Sequence, residues 1–169
     1  MKSVLISIQP KWCELIASGK KTVEVRKTMP KLDVPFKCYI YCTANKQGTK
    51  DLLEIHGTDG KIRKANSKVI GEFVCNNIEC FTTYYRGSTH QTREISKKSC
   101  VSLIGLWEYE SCSNCLYGWH ITDLVIYDKP KELSEFHKPI MPTGLRYEDD
   151  TIARPPQSWC YVESEVQGE

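Results

Sequence analysis

Short apolar or alternating runs separated by polar stretches dominate the chain, which points to strands more than to helices. Residues 4–8 (VLISI) predict a first strand. Pro10 follows at a position where a helix tolerates a missing N–H. Trp12, Leu15 and Ile16 then fall on one helical face, and Gly19 is the expected left-handed cap. A second strand is predicted over 22–26, starting almost at once. On it Thr22, Glu24 and Arg26 share one face, and Val23 and Val25 share the other. The valines read as core and the charges as an open face, with Lys20 and Lys21 at the strand mouth. Residues 29–35 read as irregular, and 36–43 (FKCYIYCT) as a third strand.

Residues 44–67 are polar and read as a basic flap, with a short helix near 50–56 and a Thr58-Asp59-Gly60 turn. Residues 68–81 predict a long strand or a bent pair, with Gly71 at a bulge. The stretch 82–98 reads as loop with some helix, 102–110 as weakly helical and 111–114 as a turn. Another strand is predicted over 116–127 (LYGWHITDLVIY), broken by Asp128-Lys129-Pro130. Residues 131–136 read as a helical turn, 137–157 as irregular and 158–163 as a closing strand. Five or six short strands, one early helix and loop crossings predict an α+β fold on a small mixed β-barrel. The length suits a single domain over 1–169.

Composition narrows the setting. Hydrophobic residues at 40% and charged residues at 26% are ordinary for a soluble globular chain. No apolar run approaches the roughly 20 residues that cross a bilayer, and the N-terminus lacks a signal-peptide pattern. The expectation is a cytoplasmic protein without a membrane partner. Nine cysteines then read as free thiols. Cys112-Ser113-Asn114-Cys115 has metal-ligand spacing, but no second such pair exists, so no metal is expected even with His120 nearby. Charge is uneven. The first 70 residues hold 14 Lys/Arg against 6 Asp/Glu, and the rest hold 9 against 15. A basic first half suits a polyanion where its charges converge.

The candidate chemistry gathers on the second strand. Lys21 offers a point charge for phosphate and Arg26 a planar fork. Glu24 can accept from a base amino group or act as a general base. The plain alternative is a solvated ion pair of little worth. Of the four tryptophans, at least two are expected in the core, and the others suit base stacking. Trp119 and His120 must point to opposite faces of their strand, and His120 is a candidate proton carrier. There is no G-x-S-x-G, no Walker A, no G-x-G-x-x-G and no H-E-x-x-H, so no cofactor is expected.

Four blocks carry a resemblance. The segment S-I-Q-P-K-W-x-x-x-I-x-x-G-K-K-T-V-E-V-R-K resembles the N-terminal signature of the ASCH domain. Y-G-W-H-I-T-D-L from Tyr117 on, K-P-K-E-L from Lys129 on and R-P-P-Q-S-W-C-Y-V from Arg154 on resemble later blocks of its phage and prophage branch. The resemblance implies a PUA-like barrel with a helix after the first strand, and beside that helix a cleft for RNA or a nucleotide-like ligand. Its G-x-K-x-x-E-x-R element falls on Gly19, Lys21, Glu24 and Arg26. Trp12, Lys20, Lys27, Trp119, His120 and Trp159 are the expected further contacts. Some relatives resemble amidohydrolases of N4-acetylcytidine, with a Lys, a Thr three residues on and a distal Glu. Lys21 fits the first and Glu108 is the candidate for the last, but Glu24 occupies the Thr position, and a carboxylate does not replace a hydroxyl nucleophile. Others are linked to ribonuclease activity, for which Glu24 is the candidate base. A binding module, an enzyme and a protein-interaction domain using the acidic 148–150 run are the three readings left open.

Overall fold

A computed structural model describes residues 2–44, 53–83, 89–111, 113–141, 143–145 and 149–163. Its elements are β1 (Lys2–Ile8), α1 (Pro10–Ala17), β2 (Val23–Arg26), β3 (Phe36–Cys42), β4 (Glu54–His56), β5 (Ile62–Lys64), β6 (Lys68–Phe81), α2 (His90–Ser99), α3 (Leu103–Glu110), β7 (Leu116–Lys131) and β8 (Trp159–Glu163), with a 3-10 turn over Leu133–Glu135. Six strands form one sheet in the order β2-β7-β6-β3-β1-β8, and β4 and β5 form a separate ribbon. The fold is thus mixed α+β. Its main ladder is open among the described residues, with β2 and β8 at the edges.

The chain divides into two compact units. The first holds residues 1–14, 37–73 and 124–169. Within it β1 runs parallel to β3, with Val4 opposite Cys38, and antiparallel to β8, with Leu5 opposite Cys160. Successive side chains of β1 point to opposite faces of the sheet, and both faces are buried. That is why VLISI is apolar nearly throughout, and Val4, Leu5, Ile6 and Ile8 are all buried. Leu5, Tyr39, Tyr41, Val69, Phe136, Ile152 and Val162 form the core of this unit. Tyr39 and Phe136 meet edge to face, with centroids 4.9 Å apart.

The flap expected over 44–67 takes a different form where it is described. Residues 54–56, assigned to a helix, are β4, paired to β5 with Ile55 opposite Arg63. Gly60 takes φ +73° in the turn between them. This ribbon is clipped to β7: the Thr58 backbone N–H and hydroxyl donate to the Asp128 carboxylate, and Arg63 donates to Asp59 and to the Asp128 carbonyl. Arg63, the arginine of the expected flap, is therefore engaged by the ribbon and β7. Residues 45–52 of the flap lie outside the described residues, as do Cys112 and Glu148.

The expected break at Asp128-Lys129-Pro130 is absent, since β7 runs on to Lys131. Only residues 117–120 of β7 pair with β2. Beyond them, among the described residues, β6 is the ladder neighbour on one side only, so a residue without an N–H is tolerated on the other.

The second unit holds residues 15–36 and 74–123. β2 pairs antiparallel with β7 there, with Val23 opposite His120, Glu24 opposite Trp119, Val25 opposite Gly118 and Arg26 opposite Tyr117. Val23 and Val25 pack with Phe81, Ile95, Leu106 and Leu116, so the helices α2 and α3 close this core. Both helices begin on hydroxyl caps: Thr89 accepts from the Thr92 N–H, and Ser102 from the Gly105 N–H. The Glu110 carboxylate reaches back to the Thr83 N–H and hydroxyl.

Candidate functional site

The site begins at the end of α1. Gly19 takes φ +72°, the left-handed value that spares glycine a steric penalty. The Gly19 N–H donates to the Ile16 carbonyl, and the Lys21 N–H to the Leu15 carbonyl, each at 2.9 Å. The chain therefore turns within three residues and enters β2. Thr22 secures it there, donating its N–H to the Lys98 carbonyl and accepting from the Ile121 N–H.

The face of β2 that reads as open in the sequence is closed. Lys21, Glu24 and Arg26 are only 2%, 6% and 8% exposed. Lys21 Nζ stands 3.2 Å from Glu24 Oε2, and Arg26 NH2 stands 3.0 Å from Glu24 Oε1. One carboxylate thus joins two cations inside the unit, where the sequence reads a charged pair on an open face. Lys21 Nζ also donates to the Ser99 carbonyl at 2.7 Å. Ser99 ends α2, where the helix dipole is negative, so the ammonium is favoured there a second time. Sequence reading missed Ser99 and Lys98: their contribution is a carbonyl at a helix end, which no side-chain motif announces.

The remaining expected contacts divide. Lys20 and Lys27 are exposed, at either end of the charged segment. Trp119 lies opposite Glu24 but is fully buried, its ring edge-on to Phe36 at 5.9 Å. A base cannot stack on it. His120 lies opposite Val23, on the other face from Glu24, and its Nε2 sits 2.5 Å from Glu79 Oε1. Gln91 holds the second Glu79 oxygen. The Glu79 carboxyl is held below its ordinary range, chiefly by the Gln91 hydrogen bond, with His120 adding to it against a burial cost. Glu108 is exposed on α3.

Trp12 and Trp159 belong to the first unit. Trp12 is half-buried on α1 under the Lys11 ammonium, 4.7 Å from the ring centroid. Trp159 is half-buried on β8, edge-on to Tyr161. With Trp107 59% exposed, Trp119 is the one tryptophan in the core, against the two or more expected. Amphipathic indoles settle at boundaries when a smaller apolar set already fills the interior.

Among the described residues no group of three or more His, Cys, Asp or Glu is placed to hold a metal ion, and no helix is long and apolar enough to cross a membrane.

Comparison with known proteins places the chain in a family. The solved structure of ASCH from Zymomonas mobilis is 19% identical, with a TM-score of 0.62 over 96% of this chain and 89% of that one. A Tyr-to-Phe variant of the same protein is 18% identical at TM-score 0.62, covering 96% of this chain and 91% of that one. A Ser-to-Ala variant is also 18% identical at 0.62, covering 95% and 88%. At such identities the likeness shows a shared fold. No curated protein matches the sequence. The ASCH domain model matches residues 6–118, a span that takes in the end of β1, α1, β2 and both later helices. The chain belongs to the ASCH domain family.

Proposed function

We propose that the chain is an RNA- or nucleotide-binding ASCH module whose ligand meets the segment 20–27. The observation that carries this reading is the buried cluster of two cations on one carboxylate, set on the strand that bears the G-x-K-x-x-E-x-R element. Burying three charges costs several kcal/mol per ion, roughly, before their attraction repays it. A strand needed only for packing is served better by apolar residues. A phosphate answers both the Arg26 fork and the Lys21 point charge. Lys20 and Lys27 add attraction from exposed positions. The ASCH family is generally associated with RNA binding, which agrees. On this reading the sheet is that of a PUA-like barrel, and the blocks after Tyr117 mark the phage or prophage branch.

The test is binding of labelled RNA over a salt series. Each phosphate contact adds about 0.7 to the salt slope for a single strand. Lys21→Ala with Arg26→Ala is expected to weaken binding and flatten the slope. Affinity that ignores both salt and this double substitution removes the reading.

One observation favours a second reading, a metal-independent ribonuclease. Glu24 has a cation within 3.2 Å of each oxygen, an arrangement that pairs a base with groups to stabilise a phosphorane. Incubation with labelled RNA separates the two. Cleavage that Glu24→Gln abolishes while binding persists supports the enzyme, and intact RNA beside folded protein removes it.

A further inference from the structure

With Trp119 sealed in the core, the aromatic surface beside the charged strand must come from elsewhere in the second unit. Tyr117 lies opposite Arg26 on β7 and is half-buried. Tyr109, in the last turn of α3, is 40% exposed. Lys27 Nζ lies 5.2 Å from its ring centroid. The Tyr109 phenol also feels Glu24 and Arg26: burial raises its pKa, Arg26 lowers it and Glu24 raises it. An exposed ring, an exposed lysine over its face and the buried triad thus meet at one end of β2.

We propose that Tyr109 is the base-stacking surface of the ligand site, and that Lys27 leaves its ring for the adjacent phosphate when single-stranded RNA binds. The proposal rests on the RNA-binding reading above and names where the base goes. A cation over an exposed ring is a weak contact, and a stacked base is a stronger one, so the exchange runs toward the base. The displaced ammonium stays within reach of the nucleotide's own phosphate. Duplex bases are stacked on each other and hide their faces, so the partner is an unpaired strand. Charge selects this occupant over a second copy of the chain, because Lys20, Lys27 and Lys98 are all exposed in this unit around the two-cation triad. Trp107 is not part of this surface. Two residues from Tyr109, it falls on the other flank of the stripe that buries Leu106 and Glu110.

Fluorescence anisotropy with a short labelled oligoribonucleotide, and with the same oligomer carrying abasic sites, tests the proposal. Tyr109→Ala is expected to weaken binding of the base-bearing oligomer by roughly 5- to 150-fold, with an unchanged salt slope. Tyr109→Phe keeps the ring and restores affinity. Lys27→Ala lowers the salt slope by about 0.7. The abasic oligomer needs no variant: wild type should bind it as weakly as Tyr109→Ala binds the intact one. Equal wild-type affinity for both oligomers, or undiminished binding by folded Tyr109→Ala, overturns the proposal and leaves salt-dependent RNA binding standing. Failure of wild type to bind either oligomer overturns both. If sedimentation shows Tyr109→Ala abolishing self-association while RNA binding is unchanged, the surface belongs to a second copy and the proposal falls.

Discussion

Replacing Glu24 by Gln is the most direct probe of the buried triad. The change keeps size and shape and removes one charge. Lys21 Nζ and Arg26 NH2 lie 3.2 and 3.0 Å from the carboxylate, and all three side chains are 10% exposed or less. At an effective dielectric near 20, each contact supplies about 5 kcal/mol of attraction, most of it offset by the cost of desolvating the ions. Glu24→Gln deletes the attraction and leaves two desolvated cations facing each other. Loss of one partner of a buried pair costs about 3–5 kcal/mol. For a chain of this length that lowers the melting temperature by roughly 6–20 °C. Calorimetry at neutral pH measures it. The triple variant Lys21→Met, Glu24→Leu, Arg26→Met should return to within about 1 kcal/mol of wild type, because apolar replacement of a whole buried ion cluster is often neutral, yet it should lose RNA affinity. A Glu24→Gln protein within about 1 kcal/mol of wild type would mean that the cluster behaves as a solvated surface pair, and the burial argument fails.

Three further outcomes follow from local geometry. A Cβ at Gly71 would stand 2.3 Å from the Val125 carbonyl oxygen, a backbone atom that cannot swing away, so Gly71→Ala should cost about 3 kcal/mol or more by denaturant titration. Gly19→Ala forces a side chain into φ +72° and should cost about 1–2 kcal/mol in the same assay. Burial raises the Glu72 pKa, but hydrogen bonds from Lys37 and Tyr127 outweigh it and hold the carboxyl below 4.5. A depressed carboxylate stabilises the fold above its unfolded value, and that contribution fades as pH falls through the folded one. Lys37→Met should therefore flatten the fall in stability below pH 4.5, seen as acid-unfolding curves that converge with wild type at low pH.

Much of the architecture was legible because local rules and tertiary packing agreed. The Pro10 start, the Gly19 stop and the runs at 36–43 and 68–81 are set by backbone chemistry and side-chain period, which neighbours do not override. The errors came where a partner decides. Residues 54–56 are strand because β5 supplies the other half of a ladder. Pro130 stays in β7 because one side of that strand has no described neighbour to receive an N–H. Trp119 is core because Phe36 packs edge-on against its ring, a tertiary contact that period-2 alternation does not contain.

The charged strand shows the same division at the level of the site. Alternation placed Glu24 and Arg26 on one face and Lys21 at the strand's mouth, and the structure keeps that grouping. Alternation also said that charges face water, and here that inference fails for a specific reason. The strand's exposed position in the ladder does not make its side chains exposed, since α2 delivers its C-terminal carbonyls directly to them: Lys98 to the Thr22 N–H and Ser99 to Lys21 Nζ. A helix end of negative polarity helps a lysine be 98% buried beside the carboxylate it shares with an arginine. The Lys21 ammonium is thereby held between the Glu24 carboxylate and the Ser99 carbonyl. Such a group gains little from water and much from an anion that can approach it. Binding at this strand is therefore expected to depend on an intact α2 terminus as well as on the charged residues themselves.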